Sequence, residues 1–82
     1  MPDPSSNKVY RLQVGAYSTP EAADRIARQV ASLGFQVMQE MAFVEKSGMV
    51  YRVLAVNVPA GMVQYAALRL ASTGIKEIWV RE

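Results

Sequence analysis

The chain repeats itself. Tyr10-Arg11-Leu12-Gln13-Val14 has a counterpart in Tyr51-Arg52-Val53-Leu54-Ala55, and each opens a short run of alternating polarity. Each run then passes a proline (Pro20, Pro59), enters an Ala-rich amphipathic stretch and closes on a matching tail. The tails are Ala31-Ser32-Leu33-Gly34-Phe35 and Ala71-Ser72-Thr73-Gly74-Ile75. A strand–helix–strand unit used twice in one small chain has few ways to bury both helices. The split βαβ arrangement does so, with element order βαββαβ and one four-stranded antiparallel sheet carrying both helices on one face, an α+β fold. The other sheet face is then open, and function is sought there.

Residues 9–16 read as the first strand, with Tyr10, Leu12 and Val14 on one side and Val9, Arg11 and Gln13 on the other. Gly15 suggests a bulge or a close backbone approach. Ser18-Thr19-Pro20-Glu21 has capping-box spacing and a proline for the first turn of a helix. The buried stripe of that helix is Ala22, Ala23, Ile26, Ala27, Val30 and Leu33. Glu21/Arg25 and Asp24/Arg28 are spaced for ion pairs on its wet side, and Gly34 ends it. Residues 35–44 form a second strand whose alternation breaks at Gln39-Glu40, which predicts a bulge or a bent edge. Ser47-Gly48 turns the chain into a third strand over 49–56. A second helix follows Pro59 with the stripe Val63, Ala66, Ala67 and Leu70, closed by Gly74, and a last strand spans 77–81. Tyr65 and Leu68 lie off that stripe, as apolar surface for a neighbour. Met38, Met41, Met49 and Met62 read as core gap-fillers.

The helices cover the more apolar sheet face, expected to carry Tyr10, Leu12, Val14, Tyr51, Val53, Ala55, Ile78 and Val80. The open face then displays Arg11, Gln13, Val50, Arg52, Leu54 and Trp79. Strands one and three are central in such a sheet, so Gln13 and Arg52 are expected side by side. A wet sheet face needs polar residues in any case. This mixture is richer than solubility requires: a bidentate cation, an amide that both donates and accepts, an indole and aliphatics. An exposed tryptophan is costly to leave idle.

Other chemistries are poorly served. The chain has no cysteine and no histidine, which removes disulfides, thiolate metal sites and the commonest general base and metal ligand. No nucleophile stands beside a base and no Gly-rich phosphate loop occurs, so the domain reads as a binding module and not an enzyme, with no cofactor and no metal. Nine basic against seven acidic residues give net +2 without a Lys/Arg cluster, too weak a footprint for nucleic acid. No apolar run reaches the roughly 20 residues of a membrane span, so direct membrane insertion is not expected. Residues 1–8, Pro- and Ser-rich, read as a linker or leader ahead of a domain over 9–82.

Leu12-Gln13-Val14-Gly15-Ala16-Tyr17, followed by a serine and the helix opening Glu21-Ala22-Ala23, resembles the first strand and helix of SPOR domains, bacterial modules that bind septal peptidoglycan. Tyr51-Arg52-Val53 resembles their third strand. The likeness runs from about Val9 to Arg81. One departure is Val56-Asn57-Val58-Pro59, where the family usually has Gly-Pro. The resemblance implies a ferredoxin-like or RNP-like sheet whose ligand face holds Gln13, Ala16, Val50, Arg52 and Trp79, with Arg11 and Leu54 added by periodicity. It implies a ligand: glycan strands denuded of stem peptides, met in the periplasmic cell envelope at the division site. It implies a role in targeting the parent protein there; the domain is expected to act as a monomer. On that view Arg52, with Arg11, pairs with a lactyl carboxylate, Gln13 engages acetamido and hydroxyl groups, and Trp79 and Leu54 give apolar platforms for sugar rings.

Two other functions fit the same element order. An RRM-like single-stranded nucleic-acid binder would stack bases on aromatics of the central strands, where this chain has Arg11, Gln13, Val50, Arg52 and Leu54. An ACT-like regulatory or interaction domain would dimerise and bind an amino acid at an interface, and, fold aside, a purely structural adaptor would use Tyr65 and Leu68. Salt-dependent oligonucleotide binding and sedimentation separate these readings from glycan binding.

Overall fold

A computed structural model describes residues 2–82. Its elements are β1 (Val9–Tyr17), α1 (Pro20–Ser32), β2 (Gln36–Val44), β3 (Gly48–Pro59), a 3-10 turn (Ala60–Met62), α2 (Val63–Ala71) and β4 (Trp79–Arg81). The four strands form one antiparallel sheet in the spatial order β2-β3-β1-β4. This is the split βαβ fold expected from the repeat. β1 and β3 are central; β2 and β4 are edges.

Local chemistry sets the helix ends. Thr19 is extended, and its hydroxyl accepts from the Ala22 N–H at 3.2 Å while Pro20 occupies the first helical position. Thr19 rather than Ser18 is therefore the cap: proline's preset φ and missing N–H suit the position just after it. Asp24 and Arg28 close to 2.9 Å on the wet side. Gly34 and Gly74 follow the two helices with φ of 97° and 98°, a conformation that costs glycine little. α2 has no side-chain cap and is entered through the 3-10 turn, whose Ala60 N–H donates to the Lys8 carbonyl at 3.1 Å.

Both helices lie on one sheet face. Ala23, Ala27 and Val30 of α1 and Val63, Ala66 and Leu70 of α2 share a core with Leu12, Val14, Val53, Ala55 and Val58. Ile26, Leu33, Ala67, Tyr10, Tyr51 and Ile78 pack at its margin. The small alanines let the helices lie close to the sheet, while leucine and valine fill the remaining volume.

Several expectations are corrected. β2 pairs with β3 in unbroken register from Gln36 to Val44, so it carries no bulge; the break at Gln39-Glu40 is that of an edge strand. Both irregularities fall in the β1–β3 ladder instead. The methionines are not core filler. Met38, Met41, Met49 and Met62 are all exposed: Met38 stands on the open face opposite Leu54, Met41 and Met49 lie toward the β2–β3 turn, and Met62 is in the 3-10 turn. β3 is longer than predicted and β4 shorter. Val80 faces the helix side opposite Leu12, yet its place on an edge strand leaves it exposed. Tyr65 and Leu68 are exposed, as expected. Among the described residues, no helix is long and apolar enough to cross a membrane.

Candidate functional site

The open face is shaped by the two ladder irregularities. Leu12 pairs with Ala55 and Gln13 with Leu54, but the next partners are Gly15 with Val53 and Ala16 with Arg52. One extra residue on β1 is accommodated between Gln13 and Gly15, so strand parity reverses there. Tyr17 then packs against the core under α1, and Ala16 turns to the open side opposite Arg52. Strict alternation from Leu12 would have done the opposite. Gly15 permits this: a Cβ on it would stand 2.7 Å from Cζ of the Tyr17 ring. Burial raises the Tyr17 hydroxyl's pKa, with Arg25 opposing the shift.

The second irregularity lies on β3, between the pairs Leu12–Ala55 and Tyr10–Val58. Asn57 sits within it at φ 57°. Asparagine is among the few residues that adopt this conformation without glycine. Its side-chain amide also donates to the Gln36 side-chain carbonyl at 2.6 Å. Asn57 thus gives the Val56-Asn57-Val58-Pro59 segment its bend.

Across the open face runs an ion-pair chain. Glu40 on β2 meets its cross-strand partner Arg52 at 3.5 Å, and its carboxylate also accepts from Arg81 Nη2 at 3.2 Å. The Arg81 hydrogen bond is the main influence holding the Glu40 carboxyl below the usual carboxylate range; burial opposes it, and Arg52 adds to the lowering. Because β4 and β2 are opposite edges, the Arg81 side chain must pass over β1 and β3. Leu54, between its cross-strand partners Gln13 and Met38, is 0% exposed, although it belongs to the open side and not to the helix-side core. Arg81 Nε is buried without a hydrogen-bond acceptor, a cost of drawing the side chain across the sheet.

The sequence-predicted residues are therefore gathered on one face but differ in availability. Trp79 pairs with Gln13 across β4 and β1 and is 63% exposed. Val50 is half-buried opposite Ala42. Gln13 and Arg52 are offset by two positions, because the bulge sets Gln13 opposite Leu54 and Arg52 opposite Ala16. Arg52 is half-buried and already shares Glu40. Arg11 gives one donor to the Glu82 carbonyl at 2.9 Å. Leu54 is the correction: fully buried, it offers no surface to a sugar. Sequence reasoning missed Arg81 and Glu40; the broken alternation at Glu40 was the available signal.

The bulge also opens a groove. Trp79, Lys76 and Glu77 line it together with the bulged segment from Gln13 to Ala16, around a volume of about 490 Å³. An aromatic wall, a floor of small residues and polar groups at the rim suit a saccharide better than an extended apolar ligand.

A family model, the SPOR domain, matches residues 6–80 of the chain. The chain belongs to the SPOR domain family. No curated protein and no solved structure gives a significant match. SPOR domains are bacterial peptidoglycan-binding modules that target the division septum, and they bind without catalysing a reaction. In this SPOR domain the half-buried Gln13 with the exposed Trp79, and the Arg52–Glu40–Arg81 chain, occupy the sheet face that the helices leave free.

Proposed function

We propose that this SPOR domain binds glycan strands denuded of stem peptides and so brings its parent protein to the division site. The observation that carries the reading is the Gln13–Trp79 cross-strand pair, an amide beside a largely exposed indole on the open face. An alternating polymer of N-acetylated sugars has what those groups need: acetamido and hydroxyl groups for Gln13 and C–H ring faces for Trp79. Ala16 keeps the neighbouring surface low, and Val50 adds an aliphatic edge. The cations Arg52, Arg81 and Arg11 outnumber Glu40 and make the face attractive to an anionic chain.

Stem peptides oppose this binding in two ways. They stand off the sugar plane and block a flat approach, and they hold the lactyl group as a neutral amide. Amidase removes both obstacles and leaves a free carboxylate. The central strands carry no exposed aromatic for base stacking, which disfavours an RRM-like role. We further propose that the domain acts as a monomer in the periplasmic cell envelope.

Cosedimentation with purified sacculi before and after amidase treatment tests the reading. Binding that rises strongly after treatment is the expected result. Equal binding to treated and untreated sacculi would overturn it, and so would tight binding to single-stranded oligonucleotides at moderate salt.

A further inference from the structure

We propose that Lys76 is the residue that reads the carboxylate of the bound glycan, with Trp79 holding the sugar ring that bears it. This deepens the glycan reading above and rests on it. The inference begins from what the cations of the domain are already doing. Arg52 and Arg81 both hold Glu40, at 3.5 Å and 3.2 Å. A ligand carboxylate placed between them would meet the Glu40 charge at close range, so although the cluster keeps a net positive charge it is a poor seat for a second carboxylate. Arg11 is turned to the Glu82 carbonyl, Lys8 is paired with Glu82 and Arg28 with Asp24.

Lys76 is different. It is exposed and among the described residues makes no ion pair; Arg25, Lys46 and Arg69 make none either, but Lys76 is the one of these that lines the groove with Trp79. An ammonium on a flexible stem suits a carboxylate carried on a short lactyl arm, where a point charge with rotatable donors serves better than a rigid fork. The groove floor explains how the ring gets there. Gly15 and Ala16 are the smallest residues on β1, and the bulge brings Ala16 to the open side. A pyranose stacked on Trp79 then has its acetamido side toward Gln13 and its lactyl side toward Lys76.

Glu77 lines the same groove and has a role of opposite sign. Its carboxylate can accept from sugar hydroxyls but repels a ligand carboxylate. The groove therefore takes one carboxylated ring, held on its Lys76 side, and the alternation of the polymer places an uncharged ring next to it.

Trp79 is the chain's single tryptophan, so its emission reports directly on the groove. The experiment titrates the domain with denuded glycan oligomers, and with the same oligomers after their carboxyl groups are reduced to alcohols. Wild type should bind the reduced glycan about tenfold more weakly, the scale of one charge-assisted hydrogen bond. Lys76→Ala should bind natural glycan about tenfold more weakly and lose nothing more on carboxyl reduction. Lys76→Arg should restore most of the discrimination, and Glu77→Gln should tighten binding of the natural glycan about threefold. Arg52→Ala should still discriminate between the two glycans. The proposal is overturned if Lys76→Ala keeps the wild-type preference for the carboxylated form, or if Arg52→Ala abolishes it. Wild type that binds both glycans equally also overturns Lys76's role while leaving the glycan reading intact; wild type that binds neither removes both.

Discussion

Arg81 and Glu40 stand on opposite edge strands of the sheet, yet their side chains meet at 3.2 Å over its open face. That contact crosses both central strands on the face that also holds Leu54, which is fully buried outside the helix-side core. The sheet therefore has apolar burial on both sides.

Stability follows from that contact. Glu40→Gln removes the carboxylate that two guanidinium groups share and leaves Arg52 and Arg81 facing each other. All three side chains keep about a third of their exposure, so the loss should be about 1 kcal/mol, between an exposed pair and a buried one. The pH dependence has a definite sign. A carboxyl whose pKa is lowered on folding stabilises the fold above its unfolded pKa, and that contribution fades as pH falls through the folded value. Urea denaturation should thus show a constant gap between wild type and Glu40→Gln near neutral pH. The gap should close in the acid range below ordinary carboxylate values. A gap that persists at the lowest pH would show that shape, not charge, makes Glu40 important.

The helix-side core should dominate stability. Leu12 and Leu70 are wholly buried, and truncation of either to alanine should cost about 2–5 kcal/mol from lost transfer energy and the cavity left behind. Ile26 lies at the margin of the same core and should cost less than either. Chemical denaturation orders the three. Ile26→Ala as harmful as Leu70→Ala would mean that α1 sits deeper on the sheet than described.

Gly15 and Tyr17 should be energetically coupled. A methyl group on Gly15 meets the Tyr17 ring, so Gly15→Ala must push the ring from its seat against the core, at about 1–3 kcal/mol. In a Tyr17→Ala background the same substitution meets no ring and should be close to neutral. A double-mutant cycle measures the difference. Additive losses would indicate that the bulge itself, and not the ring, excludes a side chain at this position.

Much of this was legible from residues alone. Alternation in β1 and β3, the apolar stripes and the glycines after each helix predict the elements, because each reports a local physical requirement. The helix-facing side of β1 follows from the parity of Leu12 and Val14 alone. Parity could not reach past the bulge: Gly15 hinted at an irregularity, but only the pairing of Ala16 with Arg52 shows which face follows it. The burial of Leu54 is not legible because its neighbours on the open face, Gln13 and Met38, come from strands remote in sequence. Glu40 broke an apolar pattern and looked like a defect, whereas it is the centre of the ion-pair chain. Lys76 carries no signal of its own; the β1–β4 pairing brings the loop that holds it beside the bulged segment of β1.

Stacking and charge should separate cleanly at the Gln13–Trp79 pair. Trp79→Ala removes an exposed platform and no charge, so binding to amidase-treated sacculi should fall several-fold, with the salt dependence of wild type unchanged. Gln13→Glu loses the amide donor and adds a negative charge beside the groove. Its binding should fall about tenfold at low ionic strength and recover in part as salt screens the repulsion, whereas wild-type binding weakens with salt. Gln13→Ala supplies the reference that lacks only the hydrogen bonds. Cosedimentation at two ionic strengths, with circular dichroism to confirm that each variant is folded, distinguishes the terms. Should Gln13→Glu and Gln13→Ala lose equally and respond alike to salt, no ligand carboxylate lies near this pair, and the open face binds its glycan without reading charge there.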